Sequence, residues 1–251
     1  MKPGGVITAP HTHHGARKPL HWSTSPERQT DARIAGLFYA LVVVTGVFSL
    51  GIAPATLFVG ETDAARHAAL AANLPLLKSV ILVELACYVA FTGTAVALHR
   101  LLSPTGGLAA ALMAALALIS VPFGFANVAH LMEIVRLVEA PTATSVADVA
   151  AASARYRAGI LMQSIPWGLW LIPLGWLTIR SGLLPKLIGV LLILAGLGYV
   201  IHFSGRILVP DWRETIWPQI LSAPRFGEIL MAGWLLIFGA RDLVLRRRPA
   251  G

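Results

Sequence analysis

Apolar residues in this chain gather into six long runs, separated by short segments in which glycine, proline and charge collect. A helix rises about 1.5 Å per residue, so roughly 20 apolar residues cross the ~30 Å hydrocarbon core of a bilayer. The runs extend from Arg33 to Val59, Ser79 to Leu98, Leu108 to Val128 with an extension to Leu137, Arg157 to Ile179, Leu184 to Val209, and Phe226 to Leu245. Each meets that length. The pattern predicts an all-α fold, a polytopic membrane bundle of about six transmembrane helices. The breaks read "GETDAARHAALAANLP", "HRLLSPTGG", "EAPTATSVADVAAASARY", "RSGLLPK" and "PDWRETIWPQILSAPR". Within the third of them, "TSVADVAAASARYR" has the pattern of a short amphipathic helix outside the membrane.

Composition strengthens the membrane reading. Hydrophobic residues make up 56% of the 251 positions and charged residues 13%, against about 25% charged in soluble domains, and mean hydropathy is +0.72. The net charge of +8 invites a nucleic-acid partner, but the basic residues sit in tails and short loops rather than on one face interleaved with aromatics, so no nucleic acid is expected. Cys87, the single cysteine, can form no internal disulfide. Residues 1–31 contain no apolar segment of signal-peptide type and are rich in Pro, Gly, Ser, Thr, His and Arg, the composition of a disordered tail. The "HTHH" cluster there reads as solvated histidines in preference to a metal site. The expected organisation is this tail, a six-helix domain over 32–245, and a basic tail over 246–251.

Lys and Arg are retained on the cytoplasmic side of short loops. Grouping the amino terminus, the second and fourth loops and the carboxyl tail collects Lys2, Arg17, Lys18, Arg28, Arg33, Arg100, Arg180, Lys186, Arg241 and Arg246 to Arg248, twelve of the 20 basic residues. Both termini are therefore expected in the cytoplasm, with the protein in the inner (plasma) membrane. The closing "RRR" is either a stop signal or a contact for anionic lipid heads.

Four segments carry a family resemblance: "ARIAGLFY" from Ala32, "VALHRLLSP" from Val96, "GLWLIPLGWLTIRSGLLPKLIGVLLILAGLGYV" from Gly168 and "GEILMAGWLLIFGAR" from Gly227. In these the chain resembles the domain of unknown function 4386 family of polytopic membrane proteins, the long block being the specific part. The resemblance implies a multispan fold and carries over no catalytic residue or cofactor. His202, just after "GLGYV", stands where members of that family often have an acid.

Candidate chemistry comes from polar residues inside the runs. Successive spans run in opposite directions, so the end of one helix and the start of the next share a membrane side. Glu84 lies near the start of the second span, Asn127, His130 and Glu133 at the exit of the third, and Gln163 near the start of the fourth. His202 and Arg206 close the fifth, and Glu228 opens the sixth. All fall on one side, the expected non-cytoplasmic one, while segments such as "VAFTGTAVAL" and "LAAALMAALALIS" hold nothing ionisable. Ionisable groups at mid-membrane cost roughly 2.5–3.5 kcal/mol, so retained ones usually face a wet cavity or each other. A one-sided polar pocket is the functional reading. The plain alternative is that His130, Glu133 and Arg136 stand in headgroup water where the helix surfaces.

His130 and Glu133 share a helix face and suit proton transfer, but without a second matched pair they make no metal site. Glu84 and Glu228 are candidate acids, His130 and His202 candidate bases, and Glu133 a further candidate catalytic group. Asn127, Gln163, Trp167 and Arg206 are candidate ligand contacts, Arg206 for an anionic head. In "QSIPWGLWLIPLGW", Pro166 and Pro173 recur on one face with Trp167, Trp170 and Trp176, either a bent aromatic wall or helix packing with an interfacial Trp176. Gly189 and Gly196 permit close helix contact. Walker, dinucleotide, nucleophile-elbow and zinc-protease motifs are absent from the sequence. The first expectation is a membrane protein that binds a hydrophobic or amphipathic small molecule; whether it is an enzyme is left open by the sequence, acid/base chemistry on a lipid or isoprenoid being the reaction expected if it is one. The alternatives are a small proton- or solute-moving carrier or accessory subunit and a structural or regulatory membrane partner without catalysis; on every reading membrane lipids are partners. The pattern names neither a cofactor nor an oligomeric state.

Overall fold

The structure, a computed structural model, describes residues 26–140, 142 and 145–240. The "HTHH" cluster, most of the expected amino-terminal tail and Arg246–Arg248 lie outside the described residues. Among those described, every regular element is helical. The chain forms α1 (Pro26–Gly46), which runs through a π-helical turn (Val47–Ile52) into α2 (Pro54–Leu57), then α3 (Asp63–Ala72), α4 (Leu74–Leu102) and α5 (Gly107–Glu139). It continues with α6 (Ser145–Ser181), α7 (Lys186–Leu208), α8 (Trp217–Ser222) and α9 (Phe226–Ile237), with 3₁₀ turns at Trp212–Glu214 and Ala223–Arg225. Six helical stretches are long and apolar enough to cross a bilayer, α2 extending the first and α8 opening the last. The chain is an integral membrane protein.

Several elements differ from the sequence reading. From Ser145 on, the stretch expected as a short separate helix is instead the first turns of α6, because Val149, Ala152 and Tyr156 pack into a core with Leu70 and Leu131. The first loop holds α3, started by Thr62, whose hydroxyl accepts the Ala65 N–H at 3.1 Å. The third helix takes the longer option, continuing past Leu137 to Glu139. The sixth ends at Ile237 instead of reaching Leu245: Gly239 adopts φ +67, and the Gln29 side-chain amide donates to the freed Phe238 carbonyl at 2.9 Å.

Each long helix packs on its chain neighbours, and α9 returns to α1, closing a ring of six. Close contact depends on glycine. A Cβ on Gly168 would lie 2.7 Å from the Gly196 carbonyl oxygen, and one on Gly189 2.6 Å from that of Gly175. The expected role of Gly189 and Gly196 thus holds, with Gly168 and Gly175 as their counterparts on α6. Trp170 is buried edge-on to Tyr39 and Phe91, at 5.7 and 5.0 Å, whereas Trp176 is exposed beneath the Arg180 guanidinium at 5.1 Å. Packing and an interfacial Trp176 account for two of the three tryptophans.

Buried apolar side chains form two clusters, one toward each end of the bundle. The first includes Tyr39, Leu98, Trp170 and Leu235, the second Leu57, Leu70, Leu131 and Ile134. Arg100 meets Asp31 at 3.1 Å at the end where α1 begins, and Lys78 meets Glu139 at the opposite end. Glu84 and Asn127 lie between the two cores. Along α4, Glu84 separates Val80 of one from Phe91 of the other; along α5, Asn127 separates Leu131 from Ala117.

Candidate functional site

A carboxyl or amide inside such a layer must find a hydrogen-bond partner or bear a desolvation cost. Four tyrosines supply most of the partners, and they are all the tyrosines the chain has. Tyr156 on α6 donates its hydroxyl to Glu84 on α4, in a short hydrogen bond. One turn further along α4, Tyr88 donates to Gln163 Oε1 at 3.1 Å. Asn127 donates from Nδ2 to the Tyr156 carbonyl at 3.2 Å, its side chain filling the space that Gly159 leaves open. Glu84, Asn127 and Gln163 are 2%, 4% and 2% exposed. Glu84 Oε2, Asn127 Oδ1 and Gln163 Nε2 have no hydrogen-bond partner among the described residues.

Glu228 forms a second centre. Tyr39 donates to its Oε2 at 3.1 Å and Tyr199 to its Oε1 at 3.5 Å, so α1 and α7 both address a carboxyl presented by the first turn of α9. The Arg225 guanidinium lies 4.7 Å from the centre of the Tyr199 ring, in the geometry of a cation–π contact. Glu84 and Glu228 have separate tyrosine partners and no hydrogen bond joins them. The two candidate acids therefore occupy separate sites.

Glu228 lines the inner of two adjoining cavities. The inner one, about 340 Å³, is bounded by Val42, Val47, Phe91 and Trp170, with Glu228, Tyr88 and Cys87 among its polar lining groups. The outer, about 420 Å³, is reached past Leu50, Trp167, Tyr199 and Arg225, which line both, and adds His202, Arg206, Arg157 and Arg213. Trp167 therefore lines both cavities, Glu228 the inner and His202 with Arg206 the outer, whereas Gln163, Asn127 and Glu84 line neither. The π-helical turn contributes Val47, Leu50 and Gly51 to the inner wall, the kind of local widening that recurs at functional positions.

His202 is oriented by a local device. After α7 the chain turns at Asp211, whose φ of +52 is left-handed, and this swings Trp212 back over Gly205, where a Cβ would collide with the indole. The Trp212 indole N–H then donates to His202 Nδ1 at 3.2 Å, leaving Nε2 as the nitrogen that carries the proton in the neutral ring. His130 and Glu133 are placed differently. Glu133 takes a 2.8 Å ion pair from Arg155, His130 Nδ1 is 3.9 Å from the same carboxylate, and neither lines the two cavities. Arg136 is exposed.

The tyrosines and three of the four cavity arginines were not among the candidates from sequence. Tyrosine is common in apolar surroundings and at membrane interfaces, so a single one carries no signal. The usable sign was partial: Tyr88 lies one turn from Glu84 and Tyr199 just before His202, whereas Tyr39 falls near the other end of its run and gave none. No group of three or more metal-ligating side chains occurs among the described residues.

Residues 34–239 match the family model described as a domain of unknown function (DUF4386). A relative from Archaeoglobus fulgidus, named only as an uncharacterized protein, is 30% identical over 119 residues, 46% of this chain and 67% of the relative. No solved structure matches the chain.

Proposed function

The chain belongs to the family described as domain of unknown function DUF4386, and from that premise we propose that it binds a hydrophobic or amphipathic small molecule in the paired cavities between α1, α4, α6, α7 and α9. The observation that carries this reading is the inner cavity itself: an apolar chamber of about 340 Å³ with a tyrosine-held carboxyl in its wall. Apolar pockets with a few convergent polar groups, in the range of about 300–1,000 Å³, are the usual form of small-molecule sites. Glu228 is the candidate acid for chemistry on a lipid-like substrate, with Tyr39 and Tyr199 holding it; His202, whose Nδ1 is taken by the Trp212 indole, offers a hydrogen-bond donor toward the mouth in place of the base expected from sequence. Glu84, with Asn127 and Gln163, serves as a buried support behind that wall, and His130 with Glu133 ties α5 to α6 through Arg155. The protein sits in the inner membrane with both termini in the cytoplasm, so the mouth faces outward.

Gly46 provides the test. It lines the inner cavity, and a Cβ built on it meets nothing within 4 Å. Gly46→Leu is expected to fill the chamber without disturbing helix contacts and to abolish retention of a dodecyl-chain probe by the purified protein. Gly233→Leu, at a position equally open but outside the cavity, should retain the probe. Equal retention by both variants would overturn the cavity as the binding site.

A further inference from the structure

The reading just given leaves open what head group the ligand carries, and four arginines answer it. Arg157 on α6, Arg206 on α7, Arg213 in the 3₁₀ turn after α7 and Arg225 in the turn before α9 all line the outer cavity. They come from four separate segments, so their convergence is a product of the fold and not of a basic stretch. None is ion-paired with a carboxylate among the described residues, although the same end of the molecule shows Glu133 taken by Arg155. Asp211 and Glu214, beside Arg213 in the chain, form no ion pair with them either. Arg225 Nε is buried without a hydrogen-bond partner among the described residues. Like charges gathered around one cavity repel one another unless an anion joins them.

We propose that the outer cavity binds the phosphate head of a single-chain amphiphile whose hydrocarbon tail occupies the inner cavity. The inference rests on the cavity being the ligand site. A phosphate monoester is favoured over a carboxylate because it brings about −1.5 to −2 charges and three acceptor oxygens, which planar guanidinium forks can share from several directions. One chain suits an inner chamber near the small end of ligand pockets. The segment between α7 and α9 supports the placement: Ile216, Trp217 and Ile220 are exposed around α8, an apolar surface of the kind that lies in the membrane interface, where a lipid's phosphate also lies.

The test uses the full chain purified in a neutral maltoside detergent, with binding read by native mass spectrometry. The probes are dodecyl phosphate, dodecanoate, dodecanol and inorganic phosphate. Dodecyl phosphate is expected to bind at least tenfold tighter than dodecanol or dodecanoate. The Arg206→Gln/Arg213→Gln double variant should lower it to the level of dodecanol while leaving dodecanol unchanged, and Arg206→Lys should keep part of the preference. If wild-type protein binds dodecyl phosphate and dodecanol equally, the head-group assignment is overturned and the cavity reading stands. Equal binding of dodecanoate overturns the choice of phosphate. Displacement of dodecyl phosphate by an equal concentration of inorganic phosphate overturns the lipid in favour of a free anion. If no chain probe binds at all, the cavity reading fails and takes the inference with it. These comparisons on wild-type protein decide the matter even if the double variant does not fold.

Discussion

At the scale of single residues, a small set of tyrosine hydroxyls makes buried carboxyls tolerable in an apolar bundle. Leaving a buried acceptor without its donor costs about 1–3 kcal/mol. Tyr156→Phe, which strips the donor from Glu84, is therefore expected to lower stability by about that amount, read as a fall in the thermal midpoint of the purified protein. Tyr199→Phe should cost less, since its bond to Glu228 is 3.5 Å long and Tyr39 holds the same carboxyl at 3.1 Å. A larger loss at Tyr199 than at Tyr156 would contradict this ranking.

Whole elements answer to a different constraint, the approach of helix backbones. In α6 and α7 glycines seven residues apart face one another, each set against a backbone carbonyl of its counterpart. Gly196→Val would have to push the helices apart, and overpacking of this kind costs about 1–3 kcal/mol, occasionally more. Thermal unfolding should register that loss. Gly46→Ala is expected to show the opposite sign, a gain of up to about 1 kcal/mol, because its Cβ meets open space and alanine is the better helix former. A destabilised Gly46→Ala would mean that the α1 backbone itself needs glycine there.

For the molecule as a whole, the ring of six antiparallel neighbours separates two ends that labelling can tell apart. In a Cys87→Ala background, His202→Cys should react with an impermeant thiol reagent from outside the cell and Asp31→Cys only from the cytoplasm. Labelling of both from the same side would overturn the proposed sidedness. Glu84→Cys should react far more slowly than His202→Cys, since position 84 is 2% exposed and lies behind the cavity wall.

Much of this was legible along the chain. Helix number and class of protein follow from run length, breaking residues and charge, because a bilayer constrains each span separately and those properties are local. Gly189 and Gly196 also foretold close helix contact, though not that Gly168 and Gly175 would be their counterparts. Contacts between spans were not legible, because they depend on the rotation of each helix about its axis and on packing against distant segments. Glu84 and Tyr156 are 72 positions apart, and Tyr39 and Glu228 are 189 apart. His130 and Glu133 share a face as their spacing requires, yet tertiary packing turns that face away from the two cavities and toward Arg155. The sequence by itself determined a six-helix membrane bundle. Only the tertiary structure decided that Glu228 joins a cavity, that Glu84 backs it, and that four arginines from four segments meet at its mouth, since side chains so far apart in the chain come together only when the helices pack.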